Sequence, residues 1–141
     1  MLSQKAKYAL QALSYLAARY NEETPVLIQT IARERNIPVK FLECILLELK
    51  KNEILTSFRG RTGGYKLNLP PTAISLARVI RIVDGPIALL SCASLNFYKS
   101  CDNCDERTCG LSSVMKEARD AILKVLEKRS LQDIVDKELA C

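Results

Sequence analysis

Apolar residues recur along the start of the chain at Ala6, Ala9, Leu10, Leu13, Leu16, Ala17 and Tyr20. Steps of three and four place them on one face of a helix, and Ser3 stands where an N-cap belongs. Residues 21–25 form a polar break. A shorter helix is predicted over 28–35, with Ile31 and Ala32 inward. Asn36-Ile37-Pro38 reads as a tight turn, and Pro38 suits the first turn of a third helix. That helix buries Leu42, Ile45, Leu46 and Leu49 on one face. Two helices joined by so short a turn make a helix-turn-helix candidate.

After Asn52 the period shortens. Residues 54–58 and 65–69 are β-prone runs, and the Arg59-Gly60-Arg61-Thr62-Gly63-Gly64 loop between them predicts a hairpin. A helix-turn-helix followed at once by a hairpin is the order of a winged helix. Pro70-Pro71 closes the unit. Residues 74–83 read as a helix ended by Asp84-Gly85-Pro86, residues 87–112 as loop, and residues 113–129 as a long helix. The long helix carries Val114, Ala118, Ala121, Ile122 and Val125 on one side, a stripe for packing inward or against a second subunit. Ser130-Leu131-Gln132-Asp133 resembles the capping pattern of a short last helix. The predicted fold is mainly α, a winged helix with a small β-wing and a long C-terminal dimerisation helix. The expected division is a winged-helix DNA-binding unit over 1–71 and a cysteine loop with dimerisation helices over 72–141.

Charge sharpens this division. The net charge is +5, and residues 1–67 hold all of the excess, with 11 Lys/Arg against 6 Asp/Glu; the remainder holds 10 of each. A basic half beside a neutral one fits a nucleic-acid-facing part and a separate regulatory or assembly part. The chain has no His, so it lacks the usual general base and any Cys–His nucleophile pair. With no Gly-rich phosphate loop or Ser-centred elbow either, an enzyme is not expected. Apolar runs are broken well before the ~18 residues of a membrane span. No secretory signal pattern opens the chain, which predicts a cytoplasmic protein without a membrane partner.

Six cysteines in a reducing compartment do not predict a disulfide framework. Cys44 and Cys141 stand alone, whereas Cys92, Cys101, Cys104 and Cys109 lie close together. Cys101-x2-Cys104-x4-Cys109 is a ligand-like spacing, because a CxxC turn lets two thiolates meet one metal and the loop can bring in others. Soft thiolates suit an iron–sulfur cluster ([2Fe-2S] or [4Fe-4S]) or tetrahedral zinc, and exclude calcium and magnesium. Cys101, Cys104 and Cys109 are the first candidates; Cys92 is the fourth, ahead of Asp102 or Asp105.

Several segments together resemble the Rrf2-type winged-helix regulators, which include the iron–sulfur-cluster, nitric-oxide and cysteine-metabolism repressors of bacteria. They are Leu2-Ser3-Gln4-Lys5-Ala6-Lys7-Tyr8-Ala9-Leu10, Ile31-Ala32, Ile37-Pro38 and Phe41-Leu42-Glu43, with the run Ser57 to Tyr65 and the stretch from Ile74-Ser75-Leu76 to Val83-Asp84-Gly85. The resemblance implies a homodimer on double-stranded DNA, with recognition helices in successive major grooves and wings at flanking minor grooves. It places base-reading side chains at Lys40, Glu43 and Cys44. Helical geometry points Lys40, Glu43, Cys44, Leu47 and Lys51 away from the core; Glu43 can accept from a cytosine amino group, and Leu47 can meet a thymine methyl. Arg59 and Arg61 suit a narrow minor groove. Lys5, Lys7, Tyr8, Lys50 and Lys51 suit phosphates.

In cluster-binding relatives, three cysteines of this segment ligate the centre and the fourth ligand varies; Ser112 stands where one branch has a His. The expected function is a transcription regulator responding to cluster, redox or nitrosative state. A metal-free regulator controlled by thiol oxidation or a partner protein stays open, as does a zinc-stabilised interaction module that binds no DNA.

Overall fold

The computed structural model describes residues 2–140; Cys141 lies outside them. Six helices are described: α1 (Gln4–Ala18), α2 (Ile28–Arg35), α3 (Val39–Lys51), α4 (Leu76–Val83), α5 (Gly110–Leu126) and α6 (Leu131–Ala140). One antiparallel hairpin of β1 (Leu55–Phe58) and β2 (Gly64–Leu67) follows α3. This is the expected winged helix. Two boundaries differ from the sequence reading: α4 starts at Leu76 because the Ser75 hydroxyl accepts from the Arg78 N–H and caps it. α5 starts at Gly110, three residues early, because Cys109 supplies its cap.

α1 is the central element. The Ser3 hydroxyl accepts from the Ala6 N–H at 3.0 Å, and the Asp84 carboxylate at the end of α4 accepts from the Ser3 N–H and hydroxyl. Ala6, Ala9 and Leu13 pack as the spacing predicts, but residues 12–17 are buried all round. The second side of α1 is closed by α6, whose Leu131 and Val135 join the same core as Leu13, Leu42, Leu49 and Ile74. Glu138 on α6 forms a two-pronged ion pair with Arg35 at the end of α2, at 3.1 and 3.3 Å.

The α2–α3 turn is Asn36-Ile37-Pro38, with Asn36 left-handed at φ 53° and Ile37 buried. In the wing, Leu55 pairs with Leu67 and Phe58 with Gly64. A β-carbon on Gly63 would lie 2.3 Å from the Phe58 carbonyl oxygen, so the tip closes only around glycine. The backbone of Val26 pairs with Tyr65 and fastens the wing's return strand to the start of the helix-turn-helix.

The α5–α6 corner is pinned to α4 by backbone bonds from Leu76 N to Arg129 O (2.9 Å) and Leu131 N to Ile74 O (3.1 Å). There the Asp133 carboxylate accepts from the Ser130 N–H at 2.8 Å. That bond, aided by the charge of Arg129, holds Asp133 below the usual carboxylate range. A carboxyl lowered by folding stabilises most above its ordinary pKa, and that contribution is lost as pH falls through the lowered value. Asp133→Asn is therefore expected to melt below wild type at neutral pH, with the gap closing in acid. A gap independent of pH in calorimetric melts would contradict this.

Candidate DNA-binding face and thiol loop

Four buried side chains of α3 (Leu42, Ile45, Leu46 and Leu49) fix its rotation and leave Lys40, Glu43, Cys44, Leu47 and Lys51 exposed, as the spacing predicted. Its other flank meets α1: the Tyr8 and Phe41 rings stack edge-on at 5.5 Å. Lys5 Nζ lies 2.5 Å from the Glu48 carboxylate. Lys5 and Tyr8 are thus half-buried in helix packing, while Lys7 stays exposed. An engaged Lys5 brings less free charge to a phosphate than Lys7, Lys40 or Lys51. Phe58, Arg59 and Arg61 are exposed at and beside the wing tip. The face therefore combines a protruding helix with a cationic ribbon.

Arg59 is the sharpest single test of the face. Arg59→Ala is expected to weaken duplex binding and reduce the slope of log affinity against log salt by about one, the signature of one lost phosphate contact. Filter-binding or anisotropy titrations at several salt concentrations measure it; an unchanged slope and affinity would remove Arg59 from the interface.

The second site is the loop between α4 and α5. A short 3-10 turn, Ser91–Ala93, buries Cys92 at 7% exposure. The Arg119 side chain of α5 donates to the Ala93 carbonyl at 2.7 Å and anchors that turn. Cys101 and Cys104 are exposed and Cys109 is half-buried. The Asn103 N–H and the Cys104 thiol stabilise a Cys101 thiolate and hold its pKa below the ordinary thiol value. Cys104, bonded to Cys101 and facing the charge of both Cys101 and Cys109, is pushed up to about 12. The three thiols share one loop, two soft donors on a turn and a third at the helix start. Among the described residues, however, no three His, Cys, Asp or Glu side chains are gathered closely enough to hold one metal ion.

Cys92 differs from the other three in being buried. Its sulfur faces the Ser112 hydroxyl at 4.0 Å, whereas Ser112 N–H donates to the Cys109 sulfur at 3.4 Å. Cys109 thus caps α5, a role that the spacing of cysteines did not disclose. Asp105 is already occupied: its carboxylate accepts from the Arg107 N–H at 3.0 Å. Asp102 is exposed. Cys44, alone on α3, is exposed and remote in sequence from this loop.

Residues 2–137 match the family described as Rrf2, iron-dependent transcriptional regulator. The chain belongs to the Rrf2 family. It is 40% identical over 138 residues to an HTH-type transcriptional regulator of Rhodobacter capsulatus named rrf2-like, covering 96% of this chain and 92% of that one. It is 32% identical to the HTH-type transcriptional regulator NsrR of Oceanobacillus iheyensis, over 97% and 90% of the two chains. Among solved structures, CymR, the global cysteine regulator of Bacillus subtilis, superposes with a TM-score of 0.78 at 27% identity and covers 97% of each chain. This Rrf2 protein is accordingly a DNA-binding transcription regulator, not an enzyme. Among the described residues, no helix is long and apolar enough to cross a membrane.

Proposed function

We propose that the protein is a cytoplasmic homodimeric regulator whose grip on DNA is set by a soft-metal centre, an iron–sulfur cluster, held by Cys101, Cys104 and Cys109. The supporting observation is that Cys109 belongs to both machines: it completes the Cys101-x2-Cys104-x4-Cys109 spacing, and its sulfur caps α5. Residues 1–71 read DNA and residues 72–141 sense and assemble. Lys40, Glu43 and Cys44 face base edges, with Glu43 giving specificity rather than affinity. Lys7, Lys51, Arg59 and Arg61 bind phosphates and the minor groove.

The donor set fits such a centre chemically. Three cysteines and no His in the chain favour iron–sulfur or zinc over harder ions. A bound cluster would supply a site that oxidants, nitric oxide or iron shortage attack. When Cys109 gives its sulfur to a metal, the Ser112 N–H must share or lose that acceptor, and the first turn of α5 adjusts. α5 is tied through Arg119 to the Cys92 turn, and through Arg129 and Leu131 to the start of α4.

Dimerisation through α5 is supported by its exposed stripe. Leu111, Val114, Ala118, Ala121 and Val125 follow the three-four spacing of a helix-pair seam. Leu111, Val114 and Val125 are more than half exposed. The stripe runs through Ile122 into an open apolar hollow of about 250 Å³ lined by Leu2, Ile80, Ile87, Leu89 and Leu126. An apolar surface so continuous calls for a second copy.

Anaerobic purification tests the sensor directly, by visible spectrum and by iron, sulfide and zinc analysis. Stoichiometric iron and sulfide are expected; zinc alone would leave a structural staple. A colourless, metal-free protein with full DNA affinity would favour thiol or partner control, the reading to which the likeness to the cysteine regulator points.

A further inference from the structure

We infer that Glu106, with Tyr98, is the positioning residue of the thiol loop: its carboxylate ties the Tyr98–Cys101 half to the Cys104–Cys109 half and so limits how far the sulfurs must move to close on one soft metal centre. The inference rests on the thiol-centre reading and names the residue that makes it work.

Residues 95–105 are all exposed, and no regular element spans the gap from Ala93 to Gly110. Such a segment has little packing to define where its thiols stand. Its front half is held locally: Phe97 N–H donates to the Ser94 hydroxyl (3.0 Å), and Lys99 N–H to the Ser91 carbonyl (3.2 Å). Its back half is a separate turn, in which the Asp105 carbonyl accepts from the Thr108 N–H (3.1 Å) and hydroxyl (3.3 Å). Besides the Cys101–Cys104 thiol contact, Glu106 is, among the described residues, the side chain whose hydrogen bonds join the halves. The Tyr98 hydroxyl donates to its two oxygens at 2.9 and 2.8 Å, and the Cys101 N–H to one of them at 3.1 Å.

The tie acts on the backbone of a candidate ligand. Cys101 is fixed relative to Glu106, which lies two residues after Cys104 and three before Cys109. Glu106 is half-buried in a stretch where its neighbours are exposed, as expected of a side chain folded inward. Only an acceptor-rich group takes an O–H and an N–H at once. Without it, binding a metal would first have to order the whole loop, a cost charged against affinity. Groups that orient metal ligands in this way typically change metal affinity about 10–100-fold when removed.

The test uses the full-length, fully reduced protein titrated anaerobically with Co²⁺ alone, read by the thiolate-to-cobalt charge-transfer band. Glu106→Ala is expected to bind about 10–100-fold more weakly than wild type, with the same spectrum at saturation. Tyr98→Phe should lose less, Glu106→Gln should recover part of the loss, and the Tyr98→Phe/Glu106→Ala double variant should be no weaker than Glu106→Ala. Tyr98 is 58% exposed, so its variant reports even where Glu106→Ala fails to fold. Wild-type affinity in both single variants would overturn the inference. A changed spectrum at saturation in Glu106→Ala would overturn it as well, because the carboxylate would then be a ligand. A wild-type protein without any thiolate band would instead remove the thiol centre itself, and the positioning role with it.

Discussion

Val114→Glu or Val125→Glu is expected to turn the protein from a dimer into a 15.8 kDa monomer and to weaken duplex binding by at least about 100-fold. Both side chains are 56% exposed on α5, so a carboxylate there leaves the subunit's own core untouched. In a paired helix seam the same carboxylate loses its water without gaining a partner, a penalty of several kcal/mol. The consequence for DNA follows from linkage: two joined half-site readers bind the second site at high effective concentration, and separated readers do not. Sedimentation equilibrium and duplex titration on the same samples measure both. A variant that stays dimeric would move the interface off α5; a monomer with full affinity would show that one subunit suffices.

The second large effect concerns the thiols. Cys101→Ser, Cys104→Ser and Cys109→Ser are each expected to lose most of the bound metal, since a serine hydroxyl is a harder and far less acidic donor than a thiol. Cys92→Ser is expected to retain it, because Cys92 lies buried against Ser112, whereas Cys101 and Cys104 are exposed. Metal-to-protein ratios after anaerobic loading decide the matter. Retention by Cys104→Ser would dismantle the proposed centre, and loss in Cys92→Ser would make Cys92 the fourth ligand and require the 3-10 turn to unpack. Cys109→Ser should nevertheless leave the start of α5 in place, because the serine hydroxyl can accept the Ser112 N–H that the sulfur takes now. An oxygen cap there restores the helix start without the metal, which separates capping from ligation.

The helix-turn-helix and wing were legible because each depends on short-range signals. The stripe of α3 is strict, Asn36 and Pro38 mark the turn, and glycines mark the hairpin tip. The helix around which everything packs was less so. A single stripe on α1 implied one buried face, yet residues 12–17 are enclosed on all sides because α6 returns from more than a hundred residues away. Ser14 is fully buried and bonded to the Gln11 carbonyl, a polar residue that periodicity alone would have left outside. The wing's link to Val26 was hidden for the same reason, since a lone backbone bridge needs no pattern of side chains.

At the site, exposure of Lys40, Glu43, Cys44, Lys51, Arg59 and Arg61 followed from helical geometry and hairpin logic. The pairing of Lys5 with Glu48 did not, because it joins two helices whose relative placement spacing does not encode. In the loop, cysteine spacing pointed to three donors and ranked Cys92 fourth, without disclosing that it is buried. Its burial depends on α5 packing, through Arg119 and Ser112, which only the tertiary fold supplies. Glu106 escaped notice because one acidic residue in an acidic loop carries no distinguishing pattern.

The most direct measurement compares the anaerobic affinity of metal-loaded and metal-stripped protein for a duplex selected by this protein from a randomised pool. A thiol centre that biases the dimer between two states should separate the affinities about ten- to a hundredfold, at matched salt. Identical binding curves for the two forms, with the metal shown to be bound in one and absent from the other, would contradict control of DNA binding by the cysteine loop.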